Sequence, residues 1–138
     1  MLFYWNSGET VTNCYADDIG GEIFSHPEWW LRDDNGTVLP SNPTWKGTRP
    51  TVDFTVPEAA AWWASVPVRV AKMAGVGVMG GVFFDSADGR NYTSRAFSGT
   101  RAHAWVVAQR AAMKSARAQL HALDPSMRVI GNAMNPGE

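Results

Sequence analysis

The sequence predicts an α/β fold in which βα units lay their strands side by side in a parallel sheet. Three observations predict it. Every residue from Val76 to Phe84 is apolar or glycine, without the alternation of a half-exposed strand, and a strand covered on both faces reads this way. Two segments of helical apolar spacing, 57–74 and 100–122, flank that run. The resulting order is strand, long loop, helix, strand, helix, strand, the alternation that builds a parallel sheet through right-handed crossovers.

Each element has its own signals. Met1-Leu2-Phe3-Tyr4-Trp5 reads as a buried strand ending in the polar cluster Asn6 to Thr10. From Val11 to Pro50 no helical or strand period is sustained. Asp33-Asp34-Asn35-Gly36 is a turn signal, with Leu31 and Thr37-Val38-Leu39 as the arms of a short hairpin. Pro40, Pro43 and Pro50 interrupt the remainder, and a loop this long in a compact domain carries function or is poorly ordered. Thr51 to Phe54 is a brief extended segment.

The first helix starts at Pro57, with Thr55 as the capping residue and Glu58 at the positive end. Its stripe is Trp62, Trp63, Val66, Val70 and Met73, and Pro67 predicts a kink or break because it removes one ladder bond. Gly75 and Gly77 end it, and a strand follows over Val78 to Asp85. After a polar loop, the second helix carries the stripe Ala102, Trp105, Val106, Met113, Ala116, Leu120 and Leu123. His103, Arg110, Lys114, Arg117 and His121 form its opposite, solvated face. Asp124-Pro125 stops that helix, and Met127 to Gly131 is the third strand.

The totals exclude several functions. A chain of 138 residues is one domain or part of one. A formal net charge of -1 removes the electrostatic argument for nucleic acid or an anionic membrane surface, so neither partner is expected. No run is long and apolar enough to span a bilayer, and the N-terminus lacks a signal peptide's basic start and apolar stretch. Cys14 is the single cysteine, which allows neither an intrachain disulfide nor a multi-cysteine zinc site. His26, His103 and His121 are scattered, so no metal is expected. Gly75-Val76-Gly77 and Gly80-Gly81 precede or sit within a strand, whereas a phosphate loop follows one, so no nucleotide cofactor is expected. No Ser lies in a Gly-x-Ser-x-Gly elbow.

Of the seven tryptophans, those on helices read as core. Trp45 lies in a loop rich in Pro, Asn, Gly and Lys, where an aromatic ring suits a flat ligand with an apolar face, such as a sugar. The chain opens directly on one strand and closes on another running into Asn132 to Glu138. Unpaired sheet edges invite aggregation, so residues 1–138 are expected to be a domain truncated at both ends.

In parallel sheets, ligands bind beyond the C-terminal strand ends. That face collects Asn6 and Glu9 after the first strand, Asp85, Ser86 and Asp88 after the second, and Asn132 with Glu138 after the third. Asp53, ending its extended segment, joins them. Aspartate is also a turn-capping residue, so position alone leaves Asp85 open between a cap and a catalytic group. Several carboxylates with amides around one rim suit polyhydroxyl recognition and glycosidic acid/base chemistry, which needs two carboxyl groups flanking one bond.

The segment His26-Pro27-Glu28-Trp29-Trp30-Leu31-Arg32-Asp33 with Asn35-Gly36 resembles the "HPEW-L-R-D-x-x-G" segment of a group of TIM-barrel glycoside hydrolases. Val52-Asp53-Phe54-Thr55 and Pro57-Glu58-Ala59-Ala60-Ala61-Trp62-Trp63 are similar to the extended segment and "P-E-A-x-x-W-W" helix that follow there. Gly81-Val82-Phe83-Phe84-Asp85 resembles that group's "D-G-V-F-x-D" strand, also similar to endo-polygalactosaminidase-like barrels. Gly80 stands in place of the usual first Asp. The strand end Val129 to Asn132 is consistent with the same pattern.

The resemblance implies a partial (β/α)8 TIM barrel of three parallel strands and two main helices. A full barrel takes about 250 residues, so this chain would hold about a third to half of one. It also implies a carbohydrate substrate and hydrolysis of a glycosidic bond. Asp85 is then one catalytic carboxylate, as nucleophile or general acid/base, with Asp88 and Glu138 as candidates for the second. Asn6, Asp53 and Asn132 bind sugar hydroxyls and Trp45 stacks on a ring. The alternatives are a carbohydrate-binding protein without catalysis, or an inactive fragment. The compartment stays open, and the resemblance is compatible with secretion.

Overall fold

Strand β1 (Leu2–Asn6) pairs with β2 (Gly81–Asp85), which pairs with β3 (Arg128–Gly131), all parallel and in the order β1-β2-β3. Helix α1 (Pro57–Ala74) connects the first pair and helix α2 (Thr100–Leu123) the second. The computed structural model describes residues 2–6, 21–39, 50–75, 77–85 and 99–131. This is the α/β class the sequence predicts, in the arrangement of a partial TIM-type barrel wall.

Among the described residues, one sheet face is packed and the other is open. Phe3 and Trp5 of β1 and Val82 and Phe84 of β2 are buried against the helices. Trp63 is the centre of that layer, fully buried, with ring centroids 5.1 Å from Phe84, 5.3 Å from Phe54 and 6.1 Å from Trp5. From α2, Trp105 packs edge-on against Phe54 and donates its indole N–H to the Val52 carbonyl at 3.0 Å. The helical tryptophans Trp62, Trp63 and Trp105 are thus core, as their spacing predicts.

On the opposite face Leu2, Tyr4 and Ile130 are exposed, and Tyr4 stacks on Phe83. The expectation of a strand covered on both faces therefore holds for one face among the described residues.

Several boundaries differ from expectation for local reasons. The second strand begins at Gly81, not Val78, because Gly75 and Gly77 take φ of 92° and 94° and fold the chain into a turn. Val78 closes that turn by donating to the Gly75 carbonyl, and its side chain is exposed. Helix α1 runs unbroken through Pro67, whose ring is buried in the core. Val56 is the N-cap, not Thr55, and it makes no side-chain cap hydrogen bond. Met73 falls off the stripe into solvent while Ala71 is buried in its place. On α2, Gln109 and Ala112 join the buried stripe, and Ala102, Val106 and Leu123 lie at its half-buried margin. His121 is not simply solvated: its Nε2 donates to the Met127 carbonyl at 3.0 Å.

The end of α2 is fastened by Asp124. Its Oδ1 accepts from the Ser126 hydroxyl at 2.7 Å and the Ser126 N–H at 2.9 Å, and these bonds hold its carboxyl below the usual value. A carboxylate with a depressed folded pKa adds stability above its unfolded pKa and loses it as pH falls through the folded one. Ser126→Ala should therefore lower Tm slightly near neutral pH. The deficit should fade as pH falls through the lowered folded pKa of Asp124, because the carboxylate is then protonated in both states. Thermal melts across that range check it, and a deficit that persists in strong acid would contradict the account.

Candidate functional site

The parallel register sets Asn6 opposite Asp85 at the C-terminal ends of β1 and β2. Two of the residues expected at the site are thus neighbours across the sheet, at the end where parallel α/β folds bind ligands. What places them there is the packing below: Trp5 and Phe84, the residues just before each, are buried in the same layer. Asp88, Glu138, Trp45 and Asn132 lie outside the described residues.

The long β1–α1 connection leaves from that same strand end. Its described part is held by a closed ring of three backbone hydrogen bonds. Leu39 N donates to Leu31 O, Thr51 N to Leu39 O and Leu31 N to Thr51 O, at 2.8, 3.0 and 2.8 Å. The expected hairpin is present: Arg32 and Val38 form an antiparallel bridge, and Asp33 Oδ1 accepts from the Asn35 and Thr37 N–H groups across the turn. Gly36, at φ 82°, supplies the backbone that turn needs. Arg101, at the start of α2, donates to Asp34 at 2.7 Å and to the Arg32 carbonyl, tying the hairpin to the helix. On the other side Arg69 of α1 reaches Glu22 at 2.9 Å, and Trp30 donates its indole N–H to the Ile23 carbonyl.

Asp53 sits where this scaffold meets α1. Its N–H donates to the Trp29 carbonyl at 2.8 Å, and its Oδ1 accepts from the Thr55 N–H at 3.0 Å and hydroxyl at 2.6 Å. One carboxylate oxygen therefore organises the entry to α1, a turn role alongside the expected sugar contact.

A group that motif reasoning did not single out for chemistry lies beside it. His26 Nδ1 is 2.7 Å from Glu28 Oε1, and the His26 ring stacks on Trp29 with centroids 3.9 Å apart and planes 11° apart. A backbone hydrogen bond and the one from His26 together hold the Glu28 carboxyl below its usual value. The signal was present as a His and a Glu two residues apart around a proline, which the 3-10 turn Pro27–Trp29 brings together. No group of three or more His, Cys, Asp or Glu able to hold a metal occurs among the described residues.

No protein-family model and no curated protein matches this chain. Solved structures do. The chain is similar to the glycoside hydrolase domain of PelA from Pseudomonas aeruginosa, with TM-score 0.56 and 18% identity, over 95% of this chain and 42% of that one. It is also similar to alpha-L-fucosidase isoenzyme 2 from Paenibacillus thiaminolyticus, with TM-score 0.58 and 14% identity, over 96% of this chain and 20% of that one. The fold is glycoside hydrolase-like. At these identities the likeness is one of fold, and the chain spans less than half of either structure.

Proposed function

We propose that these residues belong to a glycoside hydrolase of the (β/α)8 class, similar to the endo-polygalactosaminidase-like barrels, that cleaves a glycosidic bond at the C-terminal strand ends. The observation that carries the proposal is the register of Asn6 with Asp85 at those ends, in a glycoside hydrolase-like fold. Asp85 serves as nucleophile or general acid/base, and Asp88 or Glu138 supplies the second carboxylate. Asn6, Asp53 and Asn132 hold sugar hydroxyls, with Trp45 stacking on a ring face.

The same reading accounts for the open sheet face. In a closed barrel the inward side chains of each strand pack in layers against those of the others. Leu2, Tyr4, Phe83 and Ile130 would form one wall of that interior, and the remaining strands, in a longer polypeptide, would cover it. The chain's coverage of 42% of the PelA domain supports a partial barrel.

The experiment is hydrolysis by the full polypeptide on a panel of oligosaccharides: α-1,4-galactosamine oligomers, chitohexaose and cellohexaose. New reducing ends from at least one substrate are expected. Binding without product would favour a carbohydrate-binding protein, and neither binding nor product would sink both readings.

A further inference from the structure

We propose that His26 is a substrate-contacting residue of this site, its Nε2 hydrogen-bonded to a sugar hydroxyl while Glu28 and Trp29 hold the ring. The inference rests on the glycan-cleaving reading above and adds to it a residue and a contact.

The ring is fixed from three directions. Its backbone is pinned on both sides, His26 N donating to the Ile23 carbonyl at 3.1 Å and Trp29 N to the His26 carbonyl at 2.9 Å. One ring face lies flat on Trp29, which is itself buried and packed against Trp62 at 5.8 Å. The Nδ1 edge is bonded to Glu28. An ionised carboxylate only accepts hydrogen bonds, so Nδ1 is the donor to Glu28 and Nε2 is the ring nitrogen left for a ligand. The side chain nevertheless keeps 37% of its surface accessible. A packing histidine would be covered, and a solvated one would not be oriented by three partners. What remains is an oriented ring nitrogen on a side chain that solvent still reaches.

Its place in the chain ties it to the strand end that carries the candidate residues. His26 lies on the connection that leaves the C-terminal end of β1, the end carrying Asn6 and Asp85. The Trp29 carbonyl accepts from Asp53 N–H, so the His26 turn and Asp53 are one hydrogen-bonded layer. Sugar hydroxyls donate and accept alike, so an oriented ring nitrogen of either protonation state selects for a hydroxyl aimed at it. The loop's bland function, capping a 3-10 turn, is performed by the backbone bonds and does not need the imidazole's outer nitrogen.

The test uses the full polypeptide, the three oligosaccharides named above and two readouts. Calorimetry compares unsubstituted protein with His26→Asn, whose amide can replace Nδ1 as the donor to Glu28 but offers nothing at Nε2. Loss of one hydrogen bond to a neutral hydroxyl should weaken binding about 3- to 10-fold, with the far-UV circular dichroism unchanged. Imidazole nitrogen NMR of the unsubstituted protein needs no variant: the His26 Nε2 resonance should move on saturation with the oligosaccharide that binds. Binding by the unsubstituted protein with a stationary Nε2 resonance would overturn this inference and leave the proposed function standing. Absence of binding to every oligosaccharide would overturn the proposed function, and this contact with it.

Discussion

Gly81→Ala is expected to unfold the sheet or come close to it. Gly81 opens β2 in register with Arg128 of β3, and a Cβ built on it would lie 1.9 Å from the Arg128 carbonyl oxygen and 2.7 Å from that residue's backbone carbon and nitrogen. These are main-chain atoms, so no side chain can rotate away. The glycine also holds φ at 147°, a conformation that L-residues rarely adopt. Strain of about 1–3 kcal/mol and overpacking of about 1–3 kcal/mol together give a loss of about 2–6 kcal/mol. Against a domain stability of about 5–15 kcal/mol, that is a large fraction. Chemical denaturation followed by tryptophan fluorescence reads it directly, since Trp5 and Trp63 pack on this sheet. A loss below about 1 kcal/mol would mean that β2 and β3 are not in this register.

Much of the fold was legible because its signals are periodic. The apolar run that contains β2 and the helical spacing of Trp62, Trp63, Val66 and of Trp105, Met113, Ala116, Leu120 survive as the strand and the buried stripes. What misled was local and aperiodic. Val78 looks like strand, yet two glycines at positive φ put residues 77 and 78 in a turn. Pro67 looks like a break, yet an apolar ring suits the packed side of α1. Thr55 looks like a cap, yet its hydroxyl is drawn to Asp53 instead.

The site was legible only in part. The convergence of Asn6 and Asp85 follows from parallel pairing, which the alternation of elements already implied. His26 and Glu28 lie in a stretch without a sustained period, where sequence spacing carries no orientation. Only the folded turn shows that the imidazole faces Glu28 and lies on Trp29. A shared fold does not transfer catalysis, so the proposed chemistry rests on the side chains that the strand ends carry.

The most direct test of the proposed chemistry is Asp85→Asn, with turnover and binding measured side by side on the oligosaccharide that the full polypeptide cleaves. Asparagine keeps the size and hydrogen-bonding reach of aspartate but can neither attack a sugar carbon as a carboxylate nor exchange a proton near neutral pH. Proton transfer by a positioned side chain is worth about 10²–10⁴-fold, so kcat should fall by about that much or more. Kd should stay within about tenfold, because most sugar contacts are retained. The account predicts that split: binding kept, product formation lost. Unchanged kcat in a folded Asp85→Asn protein would remove Asp85 from the chemistry and contradict the account.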